Sequence, residues 1–557
     1  MSDEDESRAL PVRDLEERIR LGAERGANLL TTDELVLVEH MLALDDDAAL
    51  LHTRLSGRQP RAFRWPDLSL PGVVDRERAL ATLVEAGLAS DDVGWDTRLD
   101  EATGDVLAAG CKRLGLRSSG AVGVLRERLA EQVDWDDARW VRLPHKALVR
   151  RLEQWATLDA FPDRSTPVLE RLGIRKAVAY TRTGGAAISP TRKAWDAWES
   201  LVDDWEELTV ATALRVLTWP VWPPGRLDLR RAVAERLMLT AREHEREGAL
   251  DEALKLVDAL IARGAGGVDA VLRAAMLREK KGDLPGAHAV LVAAEPSTVG
   301  PDRLALHRTG RRIAKKVGRA WPPDAPLIEP VTRTLALPRV AVASARPRYA
   351  AGDGHAHVEV AVSARIQAAG RRVISAEGLL WHTVIGLLLA DLMFLPVDGQ
   401  LPVPRLVAPL DWATPSFAAR RAGAVWALLD GLAAGEARAR ITDAWARYDG
   451  CAIAGVSWDV APLDDVIAAV EGLGAEALVA LVSAWLREGR AARAGLPDLC
   501  VLPGEPVHVE GLTPTRLGAG TLLVEVKGET DTLRDGQRVW IDRMGQAGAE
   551  IEVWWVG

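Results

Sequence analysis

Leu522-Leu523-Val524-Glu525-Val526-Lys527-Gly528, preceded by Gly495-Leu496-Pro497-Asp498-Leu499, decides how the C-terminal part of this chain is read. In a strand, the period of two sends Glu525 and Lys527 to one face and Val524 and Val526 to the other. Carboxylate and ammonium then share a pocket. Asp498, near the start of a strand expected over 499–502, lies across a Gly/Pro-containing loop from Glu525, so the two carboxylates converge on one cation. Hard oxygen donors suit Mg2+ or Mn2+. Such an ion acidifies a water and neutralises charge on a phosphate, while an ammonium at Lys527 orients the water and stabilises a pentavalent transition state. The pattern predicts a metal-dependent phosphodiester hydrolase.

A Glu and a Lys two positions apart are commonplace on exposed strands, so the background matters. Only ten of the 70 basic residues are lysine, and Lys527 is the only lysine after Lys316. Arginine's rigid fork does not replace a compact ammonium beside a water and a metal. Residues 528–531 read as a turn, 533–546 as a helix ended by Gly548, and 550–556 as a last strand. Gln537 opens the helix face continued by Trp540 and Met544, and is expected to reach back to the site.

The chain of 557 residues has room for several domains. Cys111, Cys451 and Cys500 are far apart and form no C-x-x-C, which argues for a reducing compartment and against structural zinc. The start, MSDEDESR, is acidic where a signal peptide is basic and then apolar, and the longest apolar stretch, around 384–390, is expected to be too short to span a bilayer. A soluble, cytoplasmic protein is expected, bacterial from its Ala/Arg-rich, Lys-poor composition and associated with the nucleoid when working. Net charge −10 and pI about 5.7 run against binding to a polyanion, but the balance is local. Arg308, Arg311, Arg312, Lys315 and Lys316 fall in one basic run, and Arg175 and Lys176 in another. Both are expected DNA tracks, against the plainer reading of solvated helix faces. No G-x-x-x-x-G-K-[ST] or G-x-S-x-G occurs, so neither an ATP-driven motor nor a serine hydrolase is indicated.

Along the chain, Thr31 and Glu34 spell a capping box before an amphipathic helix. Residues 105–133 read as helix, turn, helix, with Leu107, Cys111 and Leu114 facing Val122, Leu125 and Leu129; this resembles a SAP module, a small DNA-binding helix pair. REHEREGALDEAL and LREKKGDLPGAH align Glu245 on Glu279, Gly248 on Gly282, Leu250 on Leu284 and Ala253 on Ala287, a constant offset of 34 and the tetratricopeptide period. Gly248 and Ala253 are expected to let paired helices approach closely. Pro322, Pro323, Pro326 and Pro330 mark a boundary, after which strands are expected over 334–342 and 357–362. His355 and His357 would share a strand face there, without a third metal ligand nearby.

GLPDL, LVEVKG, the D-x-L-x-x-x-Q pattern from Asp531 to Gln537, and QAGAEIEV at 546–553 together resemble the VRR-NUC branch of the PD-(D/E)XK nucleases, specifically the Fanconi-associated nuclease family. Upstream, Val358-Glu359, Ala376-Glu377-Gly378, Gly386 to Asp391, and Phe394 resemble the segment carrying the family's first metal-binding Glu. Pro409-Leu410-Asp411, Ser416-Phe417 and Val456 to Asp459 also fit. The resemblance implies Glu377, Asp498 and Glu525 as metal ligands with the carbonyl of Val526, and Lys527 as the catalytic cation. Independently, Glu377 is expected one turn before Trp381 on a helical stripe with Ile385, Leu388 and Leu392; a helix-start Glu capped by Ser375 is the alternative. Ala390, Thr532 and Gly536 depart from the family pattern, which bears on secondary DNA contacts and not on the ligands.

The implied architecture is multidomain: a helical N-terminal domain (1–100), a SAP-like helix pair (101–136), a partly basic helical linker region (137–228), a tetratricopeptide-like domain (229–325) and an α/β PD-(D/E)XK nuclease domain (331–557). The implied function is a structure-selective nuclease, 5′-flap endonuclease and 5′-to-3′ exonuclease of the phosphodiesterase I type, acting in repair such as interstrand-crosslink removal. Its expected partner is branched or flapped double-stranded DNA, with dimerisation on DNA left open and with neither membrane nor nucleotide cofactor. The alternatives are another PD-(D/E)XK enzyme, such as a junction resolvase, or a DNA-binding scaffold without activity.

Overall fold

The computed structural model describes all residues except 1–2, 133–134, 158–175, 184–190, 204–207, 219–226, 324–325, 341–346 and 353. The chain forms two compact units: residues 1–169, 186–207 and 221–226, and residues 170–185, 208–220 and 227–557. Described helices dominate the first unit and the start of the second, and a mixed α/β domain closes the chain.

In the first unit, the helix Asp3–Arg25 packs on Lys146–Thr157. The Thr31 hydroxyl accepts from the Glu34 amide at 3.2 Å while the Glu34 carboxylate accepts from the Thr31 amide at 2.9 Å, so the expected capping box is formed. The helices Gly104–Arg113 and Val122–Leu129 bury Leu107, Cys111, Leu125 and Leu129 in one cluster with Trp135 and Trp140.

The second unit contains the successive helices α1 (Leu227–Arg246), α2 (Leu250–Ala262), α3 (Gly267–Lys280), α4 (Leu284–Ala294) and α5 (Gly300–Val317), each packed on the next. The repeat shows in matched turns: Gly248 has φ 81° and Gly282 φ 82°, backbone that favours glycine. A Cβ added at either would meet nothing within 4 Å, so Gly248 serves the turn and not close helix approach as expected. Ala253 and Ala287, both fully buried, are the small residues at the helix contacts. The repeated glutamates clamp neighbouring helices. Glu245 accepts from Arg273 (2.7 Å) and Lys280 (2.6 Å), and Glu279 from Lys316 (2.7 Å) and Arg312.

The C-terminal α/β domain is built on a six-stranded mixed sheet: β1 (Val331–Leu335), β2 (Val373–Ser375), β3 (Leu499–Val501), β4 (Leu512–Thr513), β5 (Leu522–Gly528) and β6 (Ile551–Val556), in the order β4-β1-β6-β5-β3-β2. β6 runs parallel to β5 and β1; the remaining pairs are antiparallel. All seven residues of β5 are buried, as in a strand covered on both faces. Leu522, Val524 and Val526 pack on one side with Ala361, Val362 and Ile366 of α6 (Val358–Ala368). Leu523 packs on the other with α7 (Trp381–Met393) and with Trp540, Ile541 and Met544 of α8 (Asp535–Gln546).

Two expectations fail here. Residues 357–362 are not a strand: Val358, Val360 and Val362 alternate in β-like fashion, but Ala361, Val362 and Ile366 form a helical stripe docked on the sheet, and that burial outweighs β propensity. His357 is instead the N-cap of α6, and His355 lies on a short strand, Gly354–Ala356. The apolar stretch 376–393 is long and apolar enough to cross a membrane by length and composition, but 72% of it is buried inside the protein, as befits a central core helix.

Candidate active site

Backbone hydrogen bonds assemble the site before any side chain acts. Leu499 pairs with Val524 across the antiparallel β3–β5 ladder, and the next step of the register sets Asp498 opposite Glu525. The Asp498 carboxylate accepts from the Val526 amide at 2.6 Å. On its other side, the amides of Ala376 (2.7 Å) and Glu377 (3.3 Å) both donate to the Asp498 carbonyl. Three carboxylate-bearing segments therefore meet around residue 498.

Gly495 packs this arrangement against α8. With φ 89°, a Cβ on it would come 2.5 Å from the carbonyl carbon of Gly536 and 2.7 Å from the Gln537 amide nitrogen. GLPDL thus needs its first glycine so that the start of α8 can touch the Asp498 strand. The loop between β3 and β5 is stapled by Arg371, a buried guanidinium that donates to the carbonyls of Leu502 (3.1 Å), Gly520 (2.8 Å) and Gly518.

Glu525 is 1% exposed, Lys527 6%, Asp498 7% and Gln537 8%. The Lys527 ammonium donates to Glu525 Oε1 at 2.6 Å, and Gln537 Nε2 donates to the same oxygen. Gln537 is itself fixed, its Oε1 accepting from the Arg534 amide at 2.9 Å. Burial pushes Asp498 up to about 6, with further pressure from Glu377 and Glu359, against the Val526 hydrogen bond. Burial also pushes Glu525 up to about 8, with the Asp498 and Glu377 charges adding to it despite the Lys527 ammonium. These carboxylates feel one another's charge in a poorly solvated pocket.

Glu377 differs from its expected setting. It sits in a non-helical bend (φ −61°, ψ 122°) before Gly378 (φ 69°), exposed, and not on the buried stripe of α7; Trp381, Ile385, Leu388 and Leu392 do form that stripe. Nor does Ser375 cap the helix with its side chain. Among the described residues, no three His, Cys, Asp or Glu side chains stand together at metal-holding spacing; Glu525 Oε1 is taken by Lys527 and Gln537. The donor chemistry nevertheless fits a divalent cation: two buried carboxylates face a single ammonium, and their raised proton affinities mark negative charge that a hard cation would relieve. Glu359, on the first turn of α6, is a further carboxylate whose charge reaches Asp498; strand-like alternation of the valines around it hides the helix that brings it there.

The basic residues fare differently. Arg308 makes a bidentate pair with Asp535 (2.8 and 2.6 Å), and Arg312 and Lys316 are held by Glu279. These three are paired with carboxylates of the fold while about half or more of each side chain stays exposed. Arg311 and Lys315 are exposed on α5. Lys176 donates to the Asp449 carbonyl at 3.3 Å, and Arg175 lies outside the described residues.

Residues 433–556 match the family model of the VRR-NUC domain. Similar curated proteins include the Fanconi-associated nuclease 1 homolog of Oryza sativa subsp. japonica (32% identical over 184 residues, 33% of this chain and 18% of that protein) and Fanconi-associated nuclease 1 of Homo sapiens (33% over 187 residues, 32% and 17%). That of Ailuropoda melanoleuca is 35% identical over 187 residues, again 32% and 17%. The chain thus spans less than a fifth of the length of these relatives. In fold, it is similar over 98% of both chains to a crystal structure of paFAN1 bound to 2nt 5′ flap DNA with gap, with a TM-score of 0.77 and 23% identity.

Proposed function

From the match of residues 433–556 to the VRR-NUC domain and the similarity to Fanconi-associated nucleases, we propose that this chain is a structure-selective, metal-dependent DNA nuclease of that family. The proposed activities are 5′-flap cleavage and 5′-to-3′ trimming in DNA repair such as interstrand-crosslink removal. One observation carries the reading: Asp498 and Glu525, buried and pushed up to about 6 and about 8, share a pocket with Lys527.

A VRR-NUC nuclease site implies a divalent metal, here Mg2+ or Mn2+. Asp498, Glu525 and Glu377, with the carbonyl of Val526, would hold it. When bound, it supplies charge neutralisation at the phosphate and acidifies the attacking water. The rest falls to the chain's own groups. Lys527 sets a positive charge, in a pocket that excludes most solvent, where a phosphate gains negative charge in the transition state. Gln537 and Lys527 both donate to Glu525 Oε1, so neither of them takes the other oxygen of that carboxylate. The Val526 amide likewise donates to one oxygen of Asp498.

None of these groups reads a base edge, so selection rests on DNA shape and ends. The relative bound to 5′ flap DNA supports a flap as substrate. Cytoplasmic work at the nucleoid is the matching location.

Labelled 5′-flap, nicked, junction and linear DNAs, incubated with Mg2+ or Mn2+ beside the Asp498→Ala variant, test this. Metal-dependent cutting of the flap, lost in the variant, is expected. Symmetric cutting of junctions would make the protein a resolvase, and no cutting of any substrate would make it a scaffold.

A further inference from the structure

Arg308 stands out in the basic run of α5 because its guanidinium fork grips one specific carboxylate. Nη1 and Nη2 reach the two oxygens of Asp535 at 2.8 and 2.6 Å, and the Asp535 side chain is only 18% exposed. Asp535 is the first residue of α8, where a carboxylate is favoured by the helix dipole. Two positions on is Gln537, which holds Glu525 Oε1. Gly536, between them, has no side chain to anchor this turn and lies against the Ala494 carbonyl. The first turn of α8 is therefore held from one side by Arg308–Asp535 and from the other by Gln537–Glu525.

Farther along, α8 is tied by Arg543 to Glu488 at 3.0 Å and by Asp542, which accepts from the Ile328 amide at 2.8 Å. Those ties fix the body of the helix; at its first turn Arg308 acts beside the Gly495 contact and the Gln537 hydrogen bonds, and supplies the tie from the repeat helices. The repeat helices thus reach the proposed catalytic carboxylate through a short chain of charge-assisted bonds, with α5 packed directly on α8.

We infer that Arg308 is a positioning residue for Gln537, and through it for Glu525, and not a contact to DNA. The inference rests on the proposed nuclease reading. Arg308 is 65% exposed, so solvent screening limits the effect to the modest range of surface pairs, raised somewhat by the bidentate geometry.

Arg308→Ala, Arg308→Lys, Asp535→Asn and the Arg308→Ala/Asp535→Asn double variant test it by three readouts: single-turnover flap cleavage, flap affinity across a salt series without divalent metal, and amide hydrogen exchange over residues 535–541. Each single variant is expected to cut about three- to fivefold more slowly, Arg308→Lys included because an ammonium cannot span both oxygens, with the double variant no slower than either single one. Affinity and its salt slope stay unchanged, and exchange over the first turn of α8 rises. Weakened binding in Arg308→Ala, with the salt slope lowered by about one and Asp535→Asn silent, would overturn the inference in favour of a phosphate contact. Unchanged exchange would overturn it too. A wild-type protein that cuts none of the substrates overturns the nuclease reading alone, since exchange still reports the tie.

Discussion

Carboxylates in the repeat helices and in the sheet are treated in opposite ways. Glu279 is pulled down to about 2, chiefly by its hydrogen bond from Arg312, with Lys316 adding to it against burial. Glu245 is raised by burial, but Lys280 and Arg273 outweigh that and leave it lowered. Each has two cations for one carboxylate. In the sheet, Asp498 and Glu525 share one ammonium and are pushed up to about 6 and about 8. The repeats use charge to fix helix against helix, while the sheet holds charge that the fold alone does not satisfy. Such unrelieved charge is where binding energy for a cation is available.

The widest gap between the two regions should appear on neutralising one carboxylate in each. Asp498→Asn is expected to lower flap cleavage by at least about a thousandfold, and yet to raise the melting temperature of the metal-free protein. The sign follows from the raised value: the protonated form is favoured in the fold, so this contribution to stability is complete below 3.8 and lost as pH rises through about 6. At pH 7 the substitution should recover about 3 kcal/mol. A lower melting temperature for Asp498→Asn at pH 7 would contradict the comparison.

Next in size is Gly495→Ala. The added Cβ would strike Gly536 at 2.5 Å on left-handed backbone, so a loss on the order of 3 kcal/mol, with separation of α8 from the Asp498 strand, is expected in denaturant titrations. A near-neutral result would mean that the contact between GLPDL and α8 does not set the site.

Smallest is Glu279→Gln, which should cost about 1 kcal/mol at pH 7 after screening. Here the folded value is depressed, so the contribution is present above 4.5 and is lost as pH falls toward about 2. The wild type and Glu279→Gln should therefore converge in stability as pH falls through that window, as the Asp498 pair does through its own, but with opposite sign: at pH 7 the wild type is the more stable for Glu279 and the less stable for Asp498.

Much of this was legible in sequence for local reasons. The period of two in LLVEVKG fixed which face Glu525 and Lys527 share, the scarcity of lysine singled out Lys527, and the offset of 34 marked the repeat. Gln537 was placed near the site by helix periodicity, and its bond to Glu525 agrees. Illegible were features set by partners distant in sequence. α6 looked like a strand because its valines alternate, and only the sheet beneath shows that it is a helix. Glu377 was assigned to a helix face, whereas a bend tied to the Asp498 carbonyl sets its direction. Charge in the α5 run could be counted from sequence, but not that Asp535 and Glu279 lie within reach.

By itself, then, the sequence determined the residue types of the site, the strand face they share and the repeat, because periodicity and composition are local properties of a chain. Tertiary structure alone decided that Asp498 and Glu525 are pushed up, and which arginines find carboxylate partners in the fold. Both depend on desolvation and on the distance between groups up to 227 positions apart, and neither quantity is written in local order.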